Sequence, residues 1–216
     1  MSLFRLDASI RVEGSRSRAI ADIVEQEWRT AHPNAPVTRR HVGVEPVPAT
    51  AWATAVLAGP TPEAERSEEQ RAATASATRE ADLLIDADAA LFAVPLYNFG
   101  VSQHFKAWVD LVVTDQRMGA GGEPATAGTP AVLVAVRGGS YAAGTPREGW
   151  DHATGWMRRI LEDVWKFDLR VVEEEFTLVG VNPALDAFKD IAVELRKQAE
   201  QVAREHGRDL GLATAV

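Results

Sequence analysis

Three short segments of this chain combine residue types suited to holding a phosphate and a flat ring. The first is Ser9-Ile10-Arg11-Val12-Glu13-Gly14-Ser15-Arg16-Ser17, which gathers three hydroxyls, a glycine and two arginines just ahead of a stretch with helical apolar spacing. A helix starting there presents unpaired backbone N–H groups and a partial positive charge, so Ser9, Ser15 and Ser17, with Arg16 beside them, can complete a cage for a phosphomonoester. Ser15 or Ser17 acting as a plain helix cap would need no ligand.

The second segment, Pro95-Leu96-Tyr97-Asn98-Phe99-Gly100, follows a continuous apolar run that the proline is expected to stop. A heteroaromatic ring needs apolar faces and in-plane hydrogen bonds at its edge. Leu96, Tyr97, Asn98 and Phe99 with their backbone N–H groups can supply both, although the same residues can simply plug the strand ends. The third segment is Val136-Arg137-Gly138-Gly139-Ser140-Tyr141. Paired glycines let a backbone approach a ligand closely, and Arg137 adds a fixed charge. Tyr141, just past the glycines, is the candidate for an aromatic wall on the substrate side, and an exposed loop tyrosine is the plain alternative.

These segments need elements that place them at one edge of a sheet. Leu3 to Asp7 reads as a strand, and Ser17 to Ala31 as a helix with Ile20, Ile23, Val24 and Trp28 on one face. Val37 to Val42 alternates like an edge strand, after which Pro46, Pro48 and Pro60 break the chain. Thr61-Pro62-Glu63 looks like the start of a helix running to about Asp86. Ala89 to Val94 and Ala131 to Val136 are apolar on both faces, as central parallel strands are. Between them Phe105, Trp108, Val109, Val112 and Val113 keep helical spacing, and Gly119 to Gly128 is a loop. Trp150 to Trp165 reads as another helix and Leu169 to Phe176 as a fifth strand, whose Glu173-Glu174-Glu175 run is expected on solvated surface. A stripe of Leu185, Phe188, Ala192, Leu195, Ala199 and Val202 closes the chain with a sheet-facing helix. Five strands alternating with helices imply a doubly wound parallel sheet, whose ligands sit beyond the carboxyl ends of the strands.

Composition narrows the chemistry. A net charge of −8 argues against a nucleic-acid backbone or an anionic membrane as partner. Without cysteine there is no disulfide framework, no thiolate metal site and no thiol redox chemistry, so redox work requires a bound cofactor. His32, His41, His104, His152 and His206 lack paired-ligand spacing, and no metal site is expected. Gly138-Gly139-Ser140-Tyr141-Ala142 fails the Gly-x-Ser-x-Gly hydrolase elbow at Ala142. Gly119, Gly121 and Gly122 stand in the wrong place for a dinucleotide fingerprint, with Pro124 interrupting them. The 216 residues fit one domain, with the last ten expected as a flexible tail. Neither a signal segment nor a run of about 18 apolar residues is seen, which leads to the expectation of a cytoplasmic protein with no membrane partner.

Pro95-Leu96-Tyr97-Asn98-Phe99, continuing to Phe105-Lys106, Trp108 and Asp110, resembles the signature segment of the FMN-dependent NADH-azoreductase and NADH:quinone oxidoreductase family of flavodoxin-like proteins. Ser9, the Ser15-Arg16-Ser17 triplet and Val136-Arg137-Gly138-Gly139 match that family's two other flavin loops in order and spacing. Val136 stands where the family usually has serine, Ser102 lies near a usual proline, and Gly119 to Gly128 departs from an aromatic-bearing loop. The resemblance spans Leu3 to about Val202. It implies a flavodoxin-like α/β fold with strand order 2-1-3-4-5 and helices on both faces. It further implies a tightly bound FMN held by Ser9, Ser15, Arg16, Ser17, Leu96, Tyr97, Asn98, Phe99, Val136, Arg137, Gly138 and Gly139. NADH or NADPH would be the electron donor, quinones or azo compounds the acceptors in ping-pong transfer, and a homodimer the assembly. No side chain is expected to act as a catalytic nucleophile. A flavodoxin-like electron carrier that holds FMN without oxidising nicotinamide is the main alternative, and a relative that has lost flavin is a third.

Overall fold

The computed structural model describes residues 1–119 and 122–214. The strands are β1 (Leu3–Asp7), β2 (Val37–Arg40), β3 (Ala89–Tyr97), β4 (Gly100–Val101), β5 (Pro130–Val136) and β6 (Asp168–Glu174). The five long ones are parallel in the order β2-β1-β3-β5-β6, and the two-residue β4 folds back antiparallel on the end of β3. Apart from that short addition, this is the doubly wound order expected, with β2 and β6 at the edges.

The helices are α1 (Arg16–Ala31), α2 (Ala51–Ala58), α3 (Glu68–Ile85), α4 (Gln103–Val112), α5 (Thr154–Arg158) and α6 (Lys189–Ala213). Alternate residues of the central strands serve opposite faces, as the period of a strand requires. Leu3, Leu91, Val132 and Val134 pack with Ile20, Val24 and Trp28 of α1 and Ala199, Ala203 and Leu210 of α6. Phe4, Leu6, Phe92 and Leu133 pack on the other face with Leu84 of α3, Phe105 and Trp108 of α4, and Trp165. The Trp108 indole is buried and donates to the Glu80 carboxylate at 2.8 Å, which also pairs with Arg40. That acceptor satisfies the indole N–H, which would otherwise be costly to bury.

Four local readings are corrected. Thr61-Pro62-Glu63 opens only a single 3₁₀ turn, Glu63–Glu65, and α3 starts afresh from a capping box in which Ser67 and Gln70 bond each other's backbone N–H. The proline-broken stretch contains α2, whose residues Ala51 to Ala58 have almost no polar face and so no amphipathic period to detect. Trp150 is not helical: Asp151 accepts from the N–H groups of Ala153 and Thr154, starting α5 at Thr154, after which Arg159–Val164 form a π-helical turn. The expected terminal tail is helix through Ala213, with Leu210 and Gly211 buried.

Two α6 glycines explain how closely that helix lies on α1. A Cβ on Gly207 would stand 2.7 Å from the Val24 carbonyl oxygen, and one on Gly211 would stand 3.0 Å from the Ala31 Cβ. Gly207→Ala is therefore expected to destabilise the protein by about 1–2 kcal/mol, overpacking outweighing the better helix propensity of alanine. Gly155→Ala, where nothing lies within 4 Å, is expected to stabilise by roughly 0.5 kcal/mol. Urea midpoints moving in the same direction for both variants would contradict this packing.

Candidate functional site

The loops that follow β1, β3 and β5 meet at one edge of the sheet. After β1, Ser9 is buried and its hydroxyl accepts from the Arg11 N–H at 3.2 Å, while Gly14 takes a left-handed φ of 67° that turns the chain into α1. Ser15 caps α1, accepting from the Arg18 N–H, and its hydroxyl lies 3.3 Å from that of Ser17. The first turn of α1 carries no acidic residue, so its positive end has no carboxylate of its own. Behind the loop, the buried Asp7 engages Arg5, Arg18 and His41, and the Ser102 hydroxyl donates to the Ala8 carbonyl.

Gly43 is a support that the sequence did not single out. β2 ends at Arg40, short of the expected Val42, and the chain then passes directly beneath Ser9. A Cβ on Gly43 would stand 2.1 Å from the Ser9 carbonyl oxygen and 2.4 Å from its carbon. Only a glycine allows two backbones to approach this closely.

Pro95 does not stop β3, which runs through it to Tyr97; Pro95 pairs in register with Val136, and its missing N–H costs one ladder bond. The reversal comes at Asn98 and Phe99, both left-handed with φ of 49° and 68°, the geometry of a two-residue hairpin. A bulky residue is strained in that conformation. Phe99 is held there by the edges of Tyr141 and Trp150, by the Arg147 guanidinium over its ring, and by the His152 N–H bonding its carbonyl at 3.0 Å. The Tyr97 hydroxyl reaches across to the first loop, accepting from the Ile10 N–H at 3.2 Å and lying 3.5 Å from the Ser9 hydroxyl.

Beyond β5 the charges differ from expectation. Arg137 is buried and turned among Asp151, Glu173 and Glu175, away from the cleft. Asp151 stays below the usual carboxylate range; burial pushes its pKa up, but the Thr154 N–H and hydroxyl, the Ala153 N–H and the Arg137 charge outweigh it. The acid run is solvated only in part: Glu173 is exposed, as expected, whereas Glu174 is buried and both of its oxygens take hydrogen bonds from Arg16. Three guanidinium groups, Arg16, Arg137 and Arg196, thus pair with four carboxylates, Asp151, Glu173, Glu174 and Glu175, at the ends of β5 and β6, so that the buried acid is not left without a counter-ion.

A cleft of about 410 Å³ opens between these loops, within the range of roughly 300–1,000 Å³ typical of ligand sites. Of the expected residues it brings together Ser9, Ser15, Arg16, Ser17, Leu96, Tyr97, Val136 and Gly138. Arg137, Gly139, Asn98, Phe99 and Tyr141 do not line it; Asn98 faces an adjoining pocket with Gln103 and His104. A fourth wall comes from residues 177 to 181, and Arg196 of α6 closes the serine end. Leu178 of that wall lies over Gly138, where a Cβ would come within 2.5 Å of its side chain.

The donor set fits FMN. Paired hydroxyls at an acid-free helix N-terminus, with Arg11 and Arg196 nearby, suit a phosphate. Pro95, Leu96, Val136 and the side-chain-free Gly138 give the other end an apolar lining suited to a ring. Replacing Ser15 and Ser17 together by alanine is expected to weaken FMN binding about 30-fold, two charge-assisted hydrogen bonds being lost. Fluorescence titration measures the affinity, and parental binding would reduce the pair to a helix cap.

Comparison with known proteins agrees with this geometry. The family model described as flavodoxin-like fold matches residues 1–201. A protein of Frankia casuarinae named FMN-dependent NADH:quinone oxidoreductase is 38% identical over 208 residues, covering 94% of this chain and 96% of that protein. One of the same name from a Parafrankia strain is 36% identical over 205 residues, covering 94% and 97%. Among solved structures, an azoreductase from Bacillus anthracis superposes with a TM-score of 0.76 at 18% identity, covering 97% of this chain and 99% of that one, a likeness of fold. With its sheet order, its three converging loops and these relatives, the chain belongs to the flavodoxin-like family that includes the FMN-dependent NADH:quinone oxidoreductases.

Proposed function

We propose that this protein is an FMN-dependent oxidoreductase that passes electrons from NADH or NADPH to quinones and to aromatic azo compounds. The observation that carries this reading is the single cleft in which a serine-lined helix N-terminus and an apolar slot are contributed by the loops after β1, β3 and β5. FMN, when bound, supplies reversible two-electron chemistry, so the balance for a quinone is NAD(P)H plus a proton plus quinone giving NAD(P)⁺ plus hydroquinone.

The chain's own residues bind, orient and exclude water. Ser15, Ser17 and the first N–H groups of α1 hold the phosphate, and Ser9 stabilises the loop through the Arg11 N–H. Leu96, Tyr97, Val136 and Gly138 bound the ring slot, and the Asn98-Phe99 hairpin forms its outer lip. Tyr141, packed on Phe99, stands as the aromatic wall beside the incoming substrate. No side chain needs to act as a nucleophile, because the cofactor carries the reactive centre.

The assembly we infer is a homodimer, supported by Trp52, Val56 and Leu57, which lie exposed on the apolar α2 helix. Among the described residues no helix is long and apolar enough to cross a membrane. The cytoplasm remains the compartment expected from the reading of the sequence.

Steady-state rates of the FMN-loaded protein with NADH and a quinone varied together test the reading. Parallel double-reciprocal lines are expected, since one site serves both reactants in turn. FMN binding with no NADH oxidation would instead make the protein an electron carrier.

A further inference from the structure

Resting on that reading, we propose that Arg147 determines acceptor specificity, favouring flat aromatic acceptors that carry a sulfonate or carboxylate. Residues 141 to 150 form a compact loop packed on Phe99 and beside Gly139, just outside the residues that line the cleft, and tied down at both ends. At one end the Tyr141 N–H donates to Glu175 at 3.2 Å; at the other the His152 N–H donates to the Phe99 carbonyl, and Asp151 pairs with Arg137 at 3.3 Å. Inside the loop, Gly144 and Gly149 take left-handed φ values of 80° and 77°, and the Thr145 and Trp150 N–H groups bond the carbonyls of Ala142 and Arg147. A loop so constrained holds its side chains in place without a ligand.

Arg147 is the loop's only cation. Its guanidinium sits over the Phe99 ring, 5.7 Å from the centroid, and its Nη1 lies 3.8 Å from where a Cβ on Gly139 would stand. It is therefore anchored by a cation–π contact at the mouth of the slot. The nearest acid in sequence, Glu148, is occupied by the Gly144 N–H at 2.8 Å, and among the described residues no carboxylate lies within 4 Å of Arg147. Arg16 and Arg137, by contrast, are each neutralised by buried or half-buried acids. At this exposed rim a cation without a carboxylate partner faces solvent beside Phe99, Tyr141 and Trp150, at the opposite end of the site from Arg11 and Arg196 beside the serines. An aromatic acceptor that enters over those rings with an anionic substituent at its outer edge meets a planar fork suited to two oxygens. A neutral acceptor of the same shape gains the ring contacts alone.

The test compares 1,4-naphthoquinone-2-sulfonate with 1,4-naphthoquinone, using FMN-loaded parent, Arg147→Gln and Arg147→Lys. The ratio of kcat/KM for the sulfonate over the neutral quinone is expected to fall about fivefold in Arg147→Gln, through KM, the size expected of a solvent-flanked ion pair, and to recover only in part in Arg147→Lys, which keeps the charge but not the planar fork. Raising the salt concentration is expected to bring the parent's ratio toward that of Arg147→Gln. Naphthalene-2-sulfonate, which accepts no electrons, provides a binding arm by calorimetry, with the same fivefold loss expected in Arg147→Gln. A quinone ratio and a sulfonate affinity that both match the parent in Arg147→Gln overturn the proposal. If the parent reduces neither quinone, the functional reading fails by itself, and the calorimetric arm still decides the role of Arg147.

Discussion

Gly43→Ala is expected to weaken FMN binding at least 100-fold and to lower stability by roughly 2–3 kcal/mol, as overpacking against a rigid neighbour does. The three atoms that the new methyl would meet, at 2.1, 2.4 and 2.9 Å, all belong to the backbone of Ser9 and Ala8, so no side-chain rotation relieves the contact. The first loop must move as a body. It is held from above by the Tyr97 hydroxyl and from the side by Ser102, so displacement breaks the hydrogen bonds that position Ser9. A fluorescence titration reports the affinity, and a native far-UV spectrum shows that the sheet has formed. Parental affinity in Gly43→Ala would mean that the close approach under Ser9 is not required for the site.

The second large effect concerns the acid at the end of β6. Glu174 is buried, forms a two-oxygen pair with Arg16 at 2.9–3.2 Å and lies 3.6 Å from Arg196. Glu174→Gln keeps the shape, removes the charge and leaves Arg16 with only the more distant Glu200, at 4.0 Å, as counter-ion. Breaking a fully buried pair costs about 3–5 kcal/mol. The Arg16 side chain is 23% exposed and can partly rehydrate, so a loss of about 2–3 kcal/mol is expected in urea unfolding. The Arg16→Gln/Glu174→Gln double variant is expected to recover at least 1 kcal/mol of the summed losses, because a charge pair is removed whole. Purely additive losses would show that the two groups do not stabilise each other.

Much of this architecture is legible in sequence where burial is uniform along an element. The runs Ala89 to Val94 and Ala131 to Val136 announce central strands because they are apolar on both faces, and the spaced stripes of α1, α4 and α6 announce helices because one face meets the sheet. The three candidate loops follow from their places after such strands. What stays hidden depends on partners distant in the chain. Within the Glu173-Glu174-Glu175 run the burial of Glu174 is hidden because its neutralising arginine, Arg16, stands 158 residues before it, and the pairing of Glu173 and Glu175 with Arg137 is equally non-local. The same pairing removes Arg137 from the cleft. Gly43 shows nothing in its neighbours, since only the approach of Ser9, in the loop after β1, makes its missing side chain matter. The wall at 177 to 181 and Arg196 join the cleft from the end of β6 and from α6, far from any loop with a motif. Pro95 misleads because a strand tolerates one missing N–H when its proline still packs in register beside Val136.

One experiment bears most directly on the central claim. The protein is loaded with FMN, freed of excess and titrated anaerobically with NADH while the visible flavin band is followed, and a quinone is then added. Loss of the band with one equivalent of NADH per flavin, and its return on adding quinone, is the predicted result. A protein that takes up no FMN, or whose flavin band is unmoved by both NADH and NADPH, would contradict the assignment.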